Sequence, residues 1–189
     1  MRKLLPLIFF FACLNGFSQS FELGTGLGIY RLNGTFTDRL GGQYLVNQLN
    51  MAFNMLGSGN FPVKQIREEL YIGLNPNASL GYGGGMFAFD LPAYFTLKYG
   101  LASHRDSQKP FGFGIGVGGQ FSGFTMNTSA GPFSKTYLVP SVMAQIAFAI
   151  PNFRVYQIRA DITPVPAQKI KGNFIGTISQ YNIMLMTSF

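Results

Sequence analysis

The sequence predicts an all-β fold, an eight-stranded antiparallel up-and-down barrel that crosses a membrane. Three observations carry this. Of 189 residues, 47% are apolar and only 11% charged, against about 25% charged in a soluble globular domain. The apolar residues fall on alternate positions along most of the chain, the period of a strand with two unlike faces. The long uncharged windows that invite a membrane-helix reading are broken internally. The window at 110–134 has glycine at 112, 114, 116, 118, 119, 123 and 131, and the one at 136–153 is cut by Pro140 and Pro151. Neither makes a continuous apolar helix. Cys13 is the single cysteine and His104 the single histidine, which excludes a disulfide scaffold and a multi-cysteine zinc site.

At the N-terminus, Arg2-Lys3 precedes the apolar run Leu4 to Leu14 and then Asn15-Gly16-Phe17-Ser18. This reads as a secretory signal peptide over 1–18, cut before Gln19, with the barrel domain over 19–189. Acylation at Cys13 is disfavoured, because Phe10-Phe11-Ala12 lacks the aliphatic and small residues of a lipoprotein signal. Loss of Arg2 and Lys3 leaves twelve Lys and Arg against seven Asp and Glu, a mature charge near +5.

The strands follow in order. In the first, Phe21, Leu23, Thr25, Leu27 and Ile29 oppose Glu22, Gly24, Gly26, Gly28 and Tyr30. The second is the least regular. Leu45, Leu49, Met51, Phe53 and Met55 share a strand face, while Leu45, Leu49, Ala52 and Leu56 also suit a helix, so residues 41–56 are open between the two. Three asparagines and the even strand count of closed single-chain barrels favour the strand. The third sets Leu70, Ile72, Leu74, Leu80 and Tyr82 against Tyr71, Asn75, Asn77 and Ser79. The fourth sets Phe87, Phe89, Leu91, Phe95 and Leu97 against Ala88, Asp90, Thr96 and Lys98. Phe111, Phe113, Ile115 and Val117 alternate with glycines in the fifth. The sixth spans 138–150, the seventh 155–162 and the last 181–189, each with the same alternation. Such lengths meet the ~9–11 residues that cross a bilayer at a tilt. A soluble barrel would need a charged exterior that this chain cannot supply, whereas a closed membrane barrel turns its apolar face to lipid. Pro76, Pro92 and Pro140 lie inside strands, where each removes a ladder donor, so local bulges are expected.

Asp90-Leu91-Pro92 leading into Tyr94-Phe95-Thr96-Leu97-Lys98-Tyr99-Gly100, the strand start Pro110-Phe111-Gly112-Phe113-Gly114, and the terminal Phe189 resemble the small outer-membrane β-barrel domain proteins of Gram-negative bacteria. The OmpA-like and especially the PorT-like barrels of the Bacteroidetes are the nearest in character. The resemblance implies that Tyr181, Ile183, Leu185 and Phe189 form the signal read by the barrel-assembly machinery. It also implies that Phe189 ends in the periplasm. Counting back, segments near 83–85, 125–136 and 164–172 then face outward and 100–110 faces the periplasm. Arg31, Arg39, Lys135, Lys169 and Lys171 would meet lipopolysaccharide phosphates there or serve as ordinary solvated cations. Some relatives serve protein export, which implies envelope or secretion proteins as partners. Nothing points to nucleic acid.

Chemistry is sparse. The glycines of 112–119 fall on every second residue, unlike the spacing that cradles phosphate. His104-Arg105-Asp106-Ser107 holds triad residue types, but adjacency in sequence is not convergence in space. No catalytic residue, metal ligand or cofactor is assigned. The polar parity instead carries Glu22, Glu69, Asp90, Lys98, Arg159 and Asp161, a lumen network that either braces the interior through ion pairs or lines a polar path. The glycines beside it either make room for other side chains or leave a wet cavity, in a barrel of a size that side chains can fill. The expectation is therefore a non-enzymatic outer-membrane barrel with a structural or interaction role. A narrow channel for ions or small solutes and a lipid-modifying enzyme are the open alternatives.

Overall fold

The computed structural model describes residues 20–37, 40–103, 107–128, 131–150, 154–164, 167–168 and 174–188. The proposed signal peptide, Phe189, His104 to Asp106 and the Pro151-Asn152 turn lie outside them. Eight long strands form one antiparallel sheet: β1 (Ser20–Thr37), β2 (Gln43–Arg67), β3 (Leu70–Gly83), β4 (Met86–Gly100), β5 (Phe111–Thr128), β6 (Gly131–Ile150), β7 (Arg154–Ile162) and β9 (Phe174–Ser188). A two-residue β8 (Ala167–Gln168) pairs with the start of β9. Each strand pairs with its chain neighbour, and β1 pairs with β9 from Glu22↔Ser188 to Phe36↔Phe174, which closes the barrel. Where all eight strands pair, closure leaves no free edge, the condition for a sheet in hydrocarbon, while β2 before Phe53 and β6 before Val142 rise beyond their β3 and β7 partners.

The alternation read from the sequence is the alternation of the wall. Phe21, Leu23 and Leu27 of β1, Phe113 and Ile115 of β5, and Ile183 and Leu185 of β9 are exposed on the outside, while Glu22, Asn182 and Gln180 are buried within. Of residues 41–56, those from Gln43 onward are strand. Their outward set, from Leu45 (89% exposed) to Met55, continues the lipid-facing belt, and the four residues that suit a helix split between the faces, Leu45 and Leu49 outward and Ala52 and Leu56 inward.

Several expectations are corrected. The strands run further than their clearest alternation. Arg31 lies in β1 rather than in a first loop, and 125–136 is a hairpin whose strands end at Thr128 and resume at Gly131. Pro76 and Pro92 do not cause bulges. The β2–β3 pairing runs to Ser58↔Asn77 and resumes in the same register at Phe61↔Leu74, and β3–β4 pairing lapses between Pro76↔Ala93 and Ser79↔Asp90. A missing donor interrupts the ladder without adding a residue. Pairing continues through Pro140↔Gly119. The register shifts of β2–β3 lie elsewhere, between Pro62 and Lys64 and between Gln65 and Arg67.

The interior has layers. At the end that carries Ser20 and Ser188, the turn at 101–103 folds inward. Leu101 and Ala102 pack on Ala147 and Val155, and Asn60 Nδ2 donates to the Ser103 carbonyl at 2.6 Å. The middle is polar. At the far end, inward-facing Leu32, Val46, Met86, Phe124, Met126, Phe133 and Ile178 form an apolar core inside the barrel. Phe133 meets Phe36 edge-on at 6.2 Å and Phe124 at 5.5 Å between ring centroids. The parity rule therefore places residues on a face, but the inward face is polar only over part of its height.

Candidate functional site

The inward positions of β3, β4, β7 and their neighbours build the polar middle, and the strand period explains why. Asn75, Asn77 and Ser79, like Arg159 and Asp161, are two residues apart and point the same way. The Arg159 side chain, fully buried, crosses the lumen from β7. Its Nη1 donates to Asn75 Oδ1 at 3.0 Å and Asn77 Oδ1 at 2.8 Å. Its Nε donates to Asp161 Oδ1 at 2.9 Å, and the guanidinium stands 5.2 Å from the Tyr94 ring centroid. A planar fork holds several donors in a fixed geometry and so serves acceptors on two strands at once, where an ammonium is a point charge on a flexible stem.

The two asparagines are tied to the prolines. Gly59 lies opposite Pro76, which has no N–H to give it, and Asn75 Nδ2 donates to the Gly59 carbonyl at 2.8 Å instead. Asn77 Nδ2 donates to the Asn75 carbonyl at 2.7 Å and the Pro92 carbonyl at 3.2 Å. Side-chain amides thus replace ladder bonds where the wall lapses, so its buried carbonyls stay paired.

Two further groups complete the interior. Glu22 accepts from Ser58 Oγ at 3.1 Å and Gln157 Nε2 at 2.9 Å, and Lys98 Nζ lies 3.9 Å from its Oε1. Among the described residues Asp90 has no cation beside it. It accepts from Tyr30 OH at 3.0 Å, Gln180 Nε2 at 2.6 Å and Gln120 Nε2 at 3.3 Å, which is how a buried carboxylate without an ion pair is satisfied. Tyr137 OH donates to Gln180 at 3.2 Å, and Tyr94 OH shares a hydrogen bond with Ser141 Oγ at 2.8 Å.

Of the six ionisable residues expected in the lumen, the structure brings Glu22 beside Lys98 and Arg159 beside Asp161, and buries Asp90 among neutral donors. Glu69 is elsewhere. The chain reverses over Glu68 and Glu69, with Glu69 at φ +60°, and its carbonyl accepts from Gly100 N at 3.0 Å. The reversal takes it out of the strand parity that suggested a lumen position. Sequence reasoning missed the partners Asn75, Asn77, Gln120, Gln157 and Gln180. Their signal was the same parity, and for the asparagines their place on either side of Pro76. The inward glycines are occupied space: a Cβ on Gly114 would stand 3.0 Å from Gln145 Cγ and 3.1 Å from Lys98 Cγ, and one on Gly81 would overlap Asn54. On β9, Tyr181, Ile183 and Leu185 share the exposed outer face.

Among the described residues no group of three or more His, Cys, Asp or Glu could hold a metal ion. A closed wall with an apolar exterior and a packed, polar-centred interior defines a small transmembrane β-barrel of the outer-membrane type. Neither a protein-family model nor a curated protein sequence matches the chain. Among solved structures, Neisserial surface protein A (NspA) aligns over 89% of this chain and 95% of its own at a TM-score of 0.51 and 11% identity, which shows a shared fold. The attachment invasion locus protein Ail of Yersinia pestis aligns over 91% and 99% (TM-score 0.48, 9% identity). The N-terminal β-barrel domain of Pseudomonas aeruginosa OprF aligns over 90% and 97% (TM-score 0.45, 10% identity).

Proposed function

We propose that this protein is a non-enzymatic barrel of the outer membrane, without cofactor, whose interior braces the wall and whose outer surface does the work of interaction. The observation that carries this is the stacking of the lumen. An inward turn closes one end, hydrogen-bonded side chains fill the middle, and a cluster of Phe, Met and aliphatic side chains fills the far end. Charges that would line a path are engaged instead, Arg159 by three acceptors and Asp90 by three donors. Planar-bilayer recording tests the reading. Purified protein with the boiling-dependent gel shift of a folded barrel gives no unitary conductance. A stable conductance that changes in Asp90→Asn or Arg159→Gln overturns it in favour of a narrow channel.

The rest of the reading follows from the sequence features. Residues 1–18 direct export, and Tyr181, Ile183 and Leu185 with Phe189 present β9 to the assembly machinery. The far end faces outward, where Arg31 and Lys135 stand near the lipopolysaccharide layer. A place among the PorT-like barrels, and with it a role in protein export, rests on resemblance. A clean deletion strain with intact secretion and a sensitised envelope would sink the export role while leaving the structural one.

A further inference from the structure

The wall does not end at one height. The turn at Gly83 to Gly85 lies against Met51 of β2: a Cβ on Gly84 would stand 3.1 Å from the Met51 carbonyl oxygen and 3.8 Å from its nitrogen. Beyond that turn, from Asn50↔Tyr30 to Gln43↔Thr37, β2 pairs only with β1. In an antiparallel strand the N–H and C=O of one residue point to the same neighbour, and the side alternates from residue to residue. The Met51 backbone faces the β3 side, so Leu49, Asn47 and Leu45 present theirs to that side too, where no strand follows among the described residues. Leu45 and Leu49 beside this edge are exposed. On the inner side, Gln48 Nε2 lies 3.5 Å from the Asn127 carbonyl and Asn50 Nδ2 3.6 Å from the Met126 sulfur, so side chains bridge to β5 behind the edge without covering it. The other long edges at the far end are blocked. β9 beyond Tyr181 is met by β8. β6 before Val142, which rises past β7, carries Pro132, Lys135 and Pro140, and proline and lysine are the residues by which natural edges resist pairing. From Leu40 to Phe61 the chain holds no proline and no charged residue.

We propose that Leu45 to Leu49 of β2 form a docking edge for an extended, uncharged segment of another protein, which adds to the sheet as a strand where β3 stops. The inference names the surface and the kind of partner for the interaction role proposed above, and it rests on that role. Backbone groups at the strand repeat select an extended chain, since another strand offers N–H and C=O groups at the same spacing. The missing charge selects a neutral segment, because a charged one finds no countercharge along 40–61. A second copy in the same membrane does not fit. Two copies related by an axis along the bilayer normal both run β2 from the rim toward the membrane, so their edges cross at twice the barrel's strand tilt of about 35–45° and cannot lie antiparallel.

The probe is a fluorescein-labelled peptide that copies Gln43 to Met51, itself uncharged. Laid antiparallel on the edge, it sets Leu45 opposite Leu49 and Asn47 opposite Asn47. Methylation of its amide nitrogens at Tyr44, Val46 and Gln48 leaves open the side that faces the barrel and keeps the peptide from stacking on itself. Methylation at Leu45, Asn47 and Leu49 instead blocks the facing side at the same composition. Folded protein in phosphatidylcholine nanodiscs, which expose both ends of the barrel, binds the first peptide saturably and the second about a hundredfold more weakly, the loss of three hydrogen bonds. The nanodisc reads the edge and not the orientation of the barrel, and neither result depends on conductance. Asn47→Pro removes one N–H from the edge and none from the β1 ladder, and it weakens the first peptide about fivefold. Asn47→Lys weakens it as well, whereas Thr136→Lys on β6 leaves binding unchanged. Folding of every variant is verified by its gel shift. Equal binding of the two peptides to the unmodified protein overturns the edge whatever the variants do, and so does the absence of saturable binding by either. A dimer of the peptide-free protein that Asn47→Lys dissolves overturns the foreign strand in favour of a second copy.

Discussion

Arg159 carries its charge through a fully buried side chain and offers it to Asp161, Asn75 and Asn77 on two different strands. Removing it leaves the buried Asp161 carboxylate and the Asn77 amide oxygen without their donor, while Asn75 Oδ1 keeps only Asn77 Nδ2. Arg159→Ala is therefore expected to destabilise the folded barrel by about 3–5 kcal/mol, the range found when one member of a buried pair is lost, as read from urea unfolding in lipid vesicles. Arg159→Lys recovers only part of this, because one ammonium on a flexible stem cannot reproduce the fork. Asp90 tests the opposite arrangement, an anion held by neutral donors. In Asp90→Asn the new NH₂ must face either Gln120 on one side or Tyr30 and Gln180 on the other, all of which donate to the carboxylate. The expected loss is about 1–3 kcal/mol, the cost of a buried unsatisfied group, in the same unfolding assay. Parity in the sequence was sufficient to put Asp90 and Arg159 on the lumen side. Which residue each would meet was not legible, because contacts across a barrel depend on the stagger between distant strands, and Asn75 to Arg159 spans 84 residues.

The strands show the same division one level up. Period-2 alternation identifies seven of the eight long strands, and β2, where inward apolar residues blur it, needs the asparagines and the even strand count as well. The ends were less legible. In β1 beyond Tyr30 and in β6 before Leu138 the inward face becomes apolar, as Leu32 and Phe133 show, and the contrast on which alternation depends fades. The prolines were read correctly as lost donors, but their consequence was not, since Asn75 and Asn77 repair the ladder with their own amides. That repair can be isolated by a double-mutant cycle. Asn75→Ala alone orphans the Gly59 carbonyl and is expected to cost about 1–3 kcal/mol. Pro76→Ala supplies a backbone N–H opposite Gly59, so Asn75→Ala costs measurably less in that background. Equal costs in both backgrounds would show that Asn75 serves Arg159 alone.

At the scale of the whole molecule, the layers and the belt set the position of the barrel in the bilayer. Strands of 18, 25 and 20 residues in β1, β2 and β6 far exceed the ~9–11 needed to cross, so part of the wall must stand clear of hydrocarbon. The outward face marks which part. Leu27, Ile183 and Ala160 form one outward row through three paired strands, in the middle of the apolar belt, whereas Leu45 sits near the far end of β2 beside Asn47. A charge on the lipid face costs most at mid-bilayer and little at the interface. Ile183→Arg is therefore expected to lower folding stability by about 2–4 kcal/mol and Leu45→Arg by about 0–1 kcal/mol, measured as reversible unfolding from vesicles. The contrast has to come from depth, since both side chains already point outward and neither change touches the lumen network. Equal penalties would shift the hydrocarbon boundary to the far rim, placing the internal Phe124 and Phe133 cluster at membrane depth. Equal and negligible penalties would remove the belt's contact with lipid altogether.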